Sequence, residues 1–242
     1  VLRGLTTGGA RPARGVDLDI RRGEILGIAG VAGNGQLALA ETVAGLVAPV
    51  AGEVLVDGES VARETPLAPF LSPVAYIPED SIRNAVVAGL DLRTNLGLRA
   101  IGTAAPLPTI PAARERLAAY DVRPPEPGRP AGTLSGGNLQ KLVAARELGE
   151  APNAIVACYP TMGLDVQASA ALFARLVEHA EAGAGVLWIG EDIDDLLALA
   201  DRIAVIHDGS IAAVLSPAET DAAEIGRYMA GGSGAGGTRA AA

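Results

Sequence analysis

A single cysteine, Cys158, stands among 242 residues, which excludes an intramolecular disulfide framework and fits a reducing compartment. Aromatic residues are also scarce, at 3% against 49% hydrophobic residues overall, so the core must be built from closely packed small aliphatics rather than large rings. Basic residues are outnumbered: 19 Lys and Arg against 28 Asp and Glu give a net charge of −9 and a pI near 4.8. An acidic surface attracts neither nucleic acid nor anionic lipid, so any phosphate must be held by local groups. A long apolar run is missing too. Mean hydropathy is positive at +0.31, yet Gly, Asn, Gln or Pro interrupts every uncharged stretch before the roughly 20 apolar residues of a membrane-spanning helix accumulate. There is no basic-then-apolar leader and the chain opens on Val1, so a piece of a longer, non-secreted polypeptide is expected.

What is present is an alternation of strand and helix signals without an internal repeat. Residues 16–20 alternate apolar and acidic, as a strand with one wet face does, and the apolar run 25–29 reads as a buried strand. That run feeds into Gly30-Val-Ala-Gly-Asn-Gly35 and then into a helix-forming segment over 37–46, which Gly45 and Pro49 help to end. Residues 52–61 spell a hairpin turning at Asp57-Gly58, and 74–77 a further short strand. Residues 80–133 are rich in Pro, Arg and Ala, with helical pieces near 91–100 and 112–120. Past Leu134-Ser-Gly-Gly137 the pattern predicts a helix to 148, a strand 154–158, a helix 166–180, a strand 186–189, a helix 192–200 and a strand 203–206. Strands alternating with helices imply an α/β fold whose mostly parallel sheet presents ligands at the carboxyl ends of its strands. The expected organisation is one domain over 1–230, carrying an inserted helical subdomain at about 80–150, followed by a flexible Gly-rich tail over 231–242.

Strand, glycine loop and helix form the phosphate-binding unit of α/β proteins. Gly30, Gly33, Asn34 and Gly35 lie on the framework of the P-loop, G-x-x-x-x-G-K-[ST], but Gln36 stands where the lysine belongs and Leu37 where the hydroxyl belongs. The backbone cradle needs no side chain, since converging N–H groups at a helix N-terminus hold phosphate by themselves. The lysine supplies charge to the terminal phosphates and the hydroxyl binds Mg²⁺, and both are missing. A lost hydrogen bond to a charged group costs about 1.5–3 kcal/mol, so triphosphate affinity is expected to fall roughly 10- to 150-fold before the metal is counted. An ordinary strand-to-helix turn rich in glycine would look the same in isolation.

Leu134-Ser135-Gly136-Gly137-Asn138-Leu139-Gln140 is a second glycine loop ahead of a helix. Ser135 is a good N-cap, and the two glycines let an anion approach backbone N–H groups closely; a plain loop and cap is the alternative. Coming after a P-loop framework, this segment resembles the signature motif of the ATP-binding-cassette (ABC) transporter family. Residues 154–165 are similar to that family's Walker B strand and D-loop, with Gly163, Leu164 and Asp165 of the D-loop kept. Cys158 and Tyr159 stand where an Asp and a Glu normally precede Pro-Thr, so the metal-holding and water-activating carboxylates are absent. Cys158 reads as a small buried filler rather than a metal or redox thiol. Glu191 occupies the place of the family's switch histidine, Asp201-Arg202-Ile203 matches the family's next segment, and Glu79 takes the place of the Q-loop glutamine. His179 and His207 read as ordinary surface residues. No aromatic residue precedes the glycine loop at 30–35, so the base-stacking side chain usual ahead of the P-loop is missing. Pro78-Glu79-Asp80 and Asn138 resemble the second cassette of double-cassette sugar and nucleoside import ATPases, and the lost Walker B acids tilt the resemblance toward the nucleoside branch.

The resemblance covers residues 18–210. It implies a P-loop NTPase core of the ABC ATPase type, with a mostly parallel sheet, a small antiparallel β subdomain and an inserted helical subdomain. It also implies ATP and Mg²⁺ at a site composed with a second cassette upstream in the same polypeptide, permease subunits as membrane partners, a solute-binding protein as an indirect one, and a peripheral position on the cytoplasmic face of the inner membrane. Every departure falls on the groups that would hold and cut the chain's own ATP. The signature is spared. Ser135, Gly136, Gly137, Asn138 and Gln140 are therefore expected to meet ATP held by the partner, while the chain's own pocket binds nucleotide weakly or not at all and carries no metal. Two other readings stay open: a self-sufficient homodimeric ATPase, and a nucleotide-independent docking module.

Overall fold

The computed structural model describes residues 1–61, 73–101 and 105–232. Its frame is a six-stranded sheet in the order β10-β9-β3-β8-β7-β6, made of β3 (Ile25–Ala29), β6 (Val74–Ile77), β7 (Ala154–Cys158), β8 (Gly185–Ile189), β9 (Arg202–His207) and β10 (Ser210–Leu215). All neighbours are parallel except β10, which pairs antiparallel to β9. These strands read as apolar runs because both sheet faces are covered. On one face Ile77, Ile155, Trp188 and Ile203 pack with Leu148, Leu172, Leu176, Leu196 and Ile225 from α5 (Gly136–Glu147) and its C-cap, α6 (Val166–Glu181), α7 (Ile193–Leu199) and α8 (Ala222–Met229). On the other, Leu26, Ile28, Val156 and Ile189 pack with Leu39 and Val43 of α1 (Gln36–Val43) and with a second sheet.

That second sheet is four-stranded and antiparallel, in the order β2-β1-β4-β5, from β1 (Leu2–Thr6), β2 (Val16–Leu18), β4 (Ala51–Val56) and β5 (Glu59–Ser60). The fold is thus the ABC ATPase form of the P-loop architecture that the resemblance implied. Four strands and α-helices among the described residues are additions to the sequence reading: β1, the short α2 (Ser81–Asn84), β10 and α8. Helix α1 also stops at Val43 instead of 46. Gly45 takes φ +77°, and the Gly45 and Leu46 N–H groups turn back to the carbonyls of Thr42 and Glu41, the paired bonds with which a left-handed glycine closes a helix.

The middle of the chain forms a third cluster. Leu92 and Leu96 of α3 (Leu92–Leu96), Leu117 of α4 (Ile110–Ala119) and Val122 pack on Leu139, Leu142 and Ala145 of α5. Ala144, on the same helix, and Leu148, its C-cap, belong to the sheet core. Helix α5 is therefore apolar on two sides, and it fixes the helical layer relative to the sheet. A buried ionic joint reinforces this. Glu147 accepts from Arg146 Nε at 2.7 Å and from Arg99 at 2.8 Å, and its carboxylate also takes the Tyr76 N–H of β6 at 3.1 Å. The expected flexible tail falls, from residue 233 onward, outside the described residues.

Candidate functional site

The carboxyl ends of β3, β8, β7 and β6 lie side by side, so the segments leaving these strands converge on one place. After β3 comes the glycine loop, after β7 Tyr159, after β8 Glu191 and after β6 Glu79. With Arg11 and Glu41 they line a cavity of about 500 Å³. Gly35 is the N-cap of α1 at φ +99°, and Gly33 sits at φ +87°. Both need the left-handed region that glycine enters freely, so the loop has the cradle's shape.

The cradle is filled by a side chain. Gln36 is only 2% exposed; its Oε1 accepts the Asn34 N–H at 2.9 Å and its Nε2 donates to the Val31 carbonyl at 3.0 Å. Asn34 donates to the same carbonyl at 2.8 Å and accepts the Asp208 N–H at 2.8 Å, tying the loop to the β9–β10 turn. Leu37, in the hydroxyl's position, is 41% exposed. The charge around the loop has the wrong sign for phosphate: among the described residues Glu41, Glu79 and Glu191 line the cavity against Arg11 as the one basic side chain. Arg11 lies across Gly33, where a Cβ would meet its guanidinium. Burial raises the Glu41 carboxyl above its ordinary value.

Cys158 is fully buried at the end of β7. Burial, with the charges of Glu79 and Glu41 behind it, pushes its thiol up to about 12, so it stays protonated near neutrality and offers a metal no thiolate. Tyr159 holds φ +46°, unusual for a bulky side chain. Burial first, then the neighbouring Cys158, Glu191 and Glu79, pushes its phenol to about 12. Neither replaces a carboxylate. The glycine loop is thus filled by Gln36, no hydroxyl stands at position 37 and no carboxylate at 158 or 159, and Glu41, Glu79 and Glu191 line the cavity.

The second glycine loop differs in kind. Ser135 is the N-cap of α5 by backbone geometry, but no side chain caps the helix. This corrects the expected cap: the Ser135 hydroxyl instead accepts Asn138 Nδ2 at 3.0 Å, and Asn138 Oδ1 takes the Arg123 N–H at 2.8 Å. Ser135 and Gly136 are exposed, and a Cβ on Gly136 would meet nothing within 4 Å. The start of this twelve-residue helix is thus open, with N–H groups suited to an anion. The D-loop adjoins it: a Cβ on Gly137 would come 3.2 Å from the Gly163 carbonyl, Leu164 packs on the sheet core, and Asp165 caps α6 by accepting the Ala168 N–H at 2.8 Å.

One residue expected on this surface lies elsewhere. Gln140 is 2% exposed; its Nε2 donates to the carbonyls of Pro78 at 3.2 Å and Pro160 at 2.9 Å, and its Oε1 accepts from Ser81 Oγ. With its amide committed inward, it knots the Glu79 loop to the D-loop. The histidines also differ from expectation, both being half-buried. His207 Nδ1 is hydrogen-bonded to the Met229 carbonyl at 2.9 Å, and burial lowers the pKa of His179. Asp201 is structural, accepting the Ile25 N–H at 2.8 Å. Sequence reading missed Arg11 and Glu41. Glu41 stands four residues after Leu37, which puts both on one helix face; nothing in the sequence marks Arg11.

With this geometry in place, the comparison with known families is decisive: residues 13–161 match the family model described as ABC transporter. The chain belongs to the ABC transporter family. Among curated ABC proteins it is 38% identical over 227 residues to the glucose import ATP-binding protein TsgD13 of Haloferax volcanii, covering 90% of this chain and 41% of that protein. It is 36% identical over 233 residues to the guanosine import ATP-binding protein NupO of Bacillus subtilis, covering 93% and 46%. The chain thus spans less than half the length of these relatives. A solved ATP-binding subunit of an ABC transporter superposes with TM-score 0.78 at 21% identity, covering 95% of this chain and 98% of that one. A dimeric post-hydrolysis ATP-binding cassette bound to ADP and Pi gives 0.76 at 22%, covering 89% and 97%; at such identities the likeness is one of fold. No described helix of this cassette is long and apolar enough to cross a membrane, and no described group of His, Cys, Asp and Glu could hold a metal ion.

Proposed function

We propose that this chain is the nucleotide-binding domain of a sugar or nucleoside importer, and that it serves as the second, catalytically degenerate cassette, lending its signature to ATP held by a partner cassette. The observation that carries this reading is the contrast between the two glycine loops. One is filled by Gln36 and ringed by Glu41, Glu79 and Glu191. The other leaves the N-terminus of α5 uncapped and exposed at Ser135 and Gly136. The relatives named as glucose and guanosine import ATP-binding proteins support the importer assignment, and the share of their length left over is enough for another cassette.

On this reading ATP and Mg²⁺ belong to the composite site, where ATP supplies the phosphoryl group that is transferred. The Ser135 hydroxyl and the N–H groups at the start of α5 face the terminal phosphate and stabilise the negative charge spreading over its oxygens. Asn138 holds the Ser135 hydroxyl in place. Gln140 ties this loop to the Glu79 loop, so that motion on the permease side reaches the signature. The helical subdomain, about 80–150, meets permease subunits at a groove lined by Leu46, Val87 and Leu98, at the cytoplasmic face of the membrane, and a solute-binding protein acts at one remove.

Calorimetric titration of Mg-ATP into the purified chain, with a steady-state phosphate-release assay at the same concentrations, tests the degenerate pocket. Weak or absent binding without turnover is expected. Tight binding with sustained turnover would overturn the proposal and make the chain an ATPase by itself.

A further inference from the structure

We propose that Gln36 is an internal ligand of its own glycine loop, holding the loop in its closed, phosphate-shaped form without nucleotide and shutting phosphates out. This rests on the reading of the pocket as degenerate and names the device that keeps it so. The usual lysine has only donors and leaves the loop's N–H groups for the anion. A carboxamide is both donor and acceptor, and Gln36 uses both, taking the Asn34 N–H at 2.9 Å and giving to the Val31 carbonyl at 3.0 Å. The cradle is thereby satisfied from within.

Two further features fit this arrangement. A Cβ on Gly30 would lie 2.8 Å from Gln36 Nε2, so the first glycine of the loop makes room for the amide as well as for the backbone of β9. Asn34 fastens the same turn from outside, through the Val31 carbonyl and the Asp208 N–H. Asn34 therefore keeps the loop anchored to the β9–β10 turn when Gln36 is changed, while the Asn34 N–H and the Val31 carbonyl lose their Gln36 partners inside the cradle. A phosphate entering the wild-type loop must break both Gln36 bonds, which weakens binding on the order of 10-fold.

The test compares the nucleotide-free wild-type chain with Gln36→Ala, which empties the cradle, and Gln36→Met, which keeps its volume without the hydrogen bonds. Hydrogen exchange at the Asn34 amide is expected to be at least about 10-fold faster in both variants than in wild type. Metal-free inorganic tripolyphosphate is expected to bind Gln36→Ala about 10-fold more tightly than wild type, and Gln36→Met no more tightly than wild type. Equal exchange at Asn34 in wild type and Gln36→Ala, or equal tripolyphosphate affinity, would overturn the internal-ligand proposal while leaving the degenerate-pocket reading in place. ATP turnover by the chain alone would sink that reading without touching the Asn34 result.

Discussion

At the scale of single residues, the losses visible in the sequence become physical statements once burial is known. Cys158 reads as a filler from its place at a strand end, and the structure makes it one that stays neutral. Its thiol is raised from 9.0 to about 12, chiefly by burial. A raised thiol pKa favours the neutral form in the folded state, so its contribution to stability is complete below pH 9 and is lost as pH rises toward about 12. Cys158→Ala should therefore show a shallower loss of stability between about pH 9 and 11 in urea unfolding than wild type does; matching slopes would mean that the thiol titrates normally. Glu147 is a case the sequence conceals, since an acidic residue near a helix end looks like a solvated one. Buried at 5% with Arg146 at 6%, it neutralises two arginines at once. Glu147→Ala leaves both without that partner and should cost about 3–5 kcal/mol in chemical denaturation.

At the scale of elements, periodicity and punctuation carry most of the reading: strands 25–29, 74–77 and 154–158 stand where their apolar runs put them. Elements escape notice where neither signal is strong. β1 alternates weakly and owes its existence to pairing with β2 and β4, and β10 forms because β9 offers an edge. The site is legible in its positions but not in its contacts. Spacing names Gln36 and Ser135, yet the inward fold of the one and the uncapped exposure of the other depend on hydrogen bonds that no spacing encodes. Close packing between elements is hidden as well. Gly27 in β3 looks like a defect in a strand, but a Cβ there would lie 2.7 Å from Leu196 Cδ2 and 3.2 Å from Ala200 Cβ, because α7 rests directly on the sheet. Gly27→Ala should lower stability by about 1–3 kcal/mol through overpacking, read as a fall in the urea midpoint; an unchanged midpoint would mean that α7 can shift away.

At the scale of the whole molecule, the sheet gathers four loops at its carboxyl edge into a pocket filled by Gln36 and lined by three glutamates, while α5, rooted in both cores, leaves its N-terminal end exposed at Ser135 and Gly136. Under the proposed function the first is a poor nucleotide site and the second a working one. Such a division makes sense for a cassette that works as half of a pair, in which each half is judged by the ATP it helps to cut and not by the ATP it holds. The direct test is ATP turnover by the assembled transporter carrying one substitution at a time. Ser135→Arg, which blocks the open end of α5, should reduce turnover by at least about 100-fold, the scale on which losing a transition-state donor is felt. Gln36→Ala, in the pocket proposed to hold no working ATP, should change it by less than about twofold. Comparable losses from the two substitutions would contradict the asymmetric assignment.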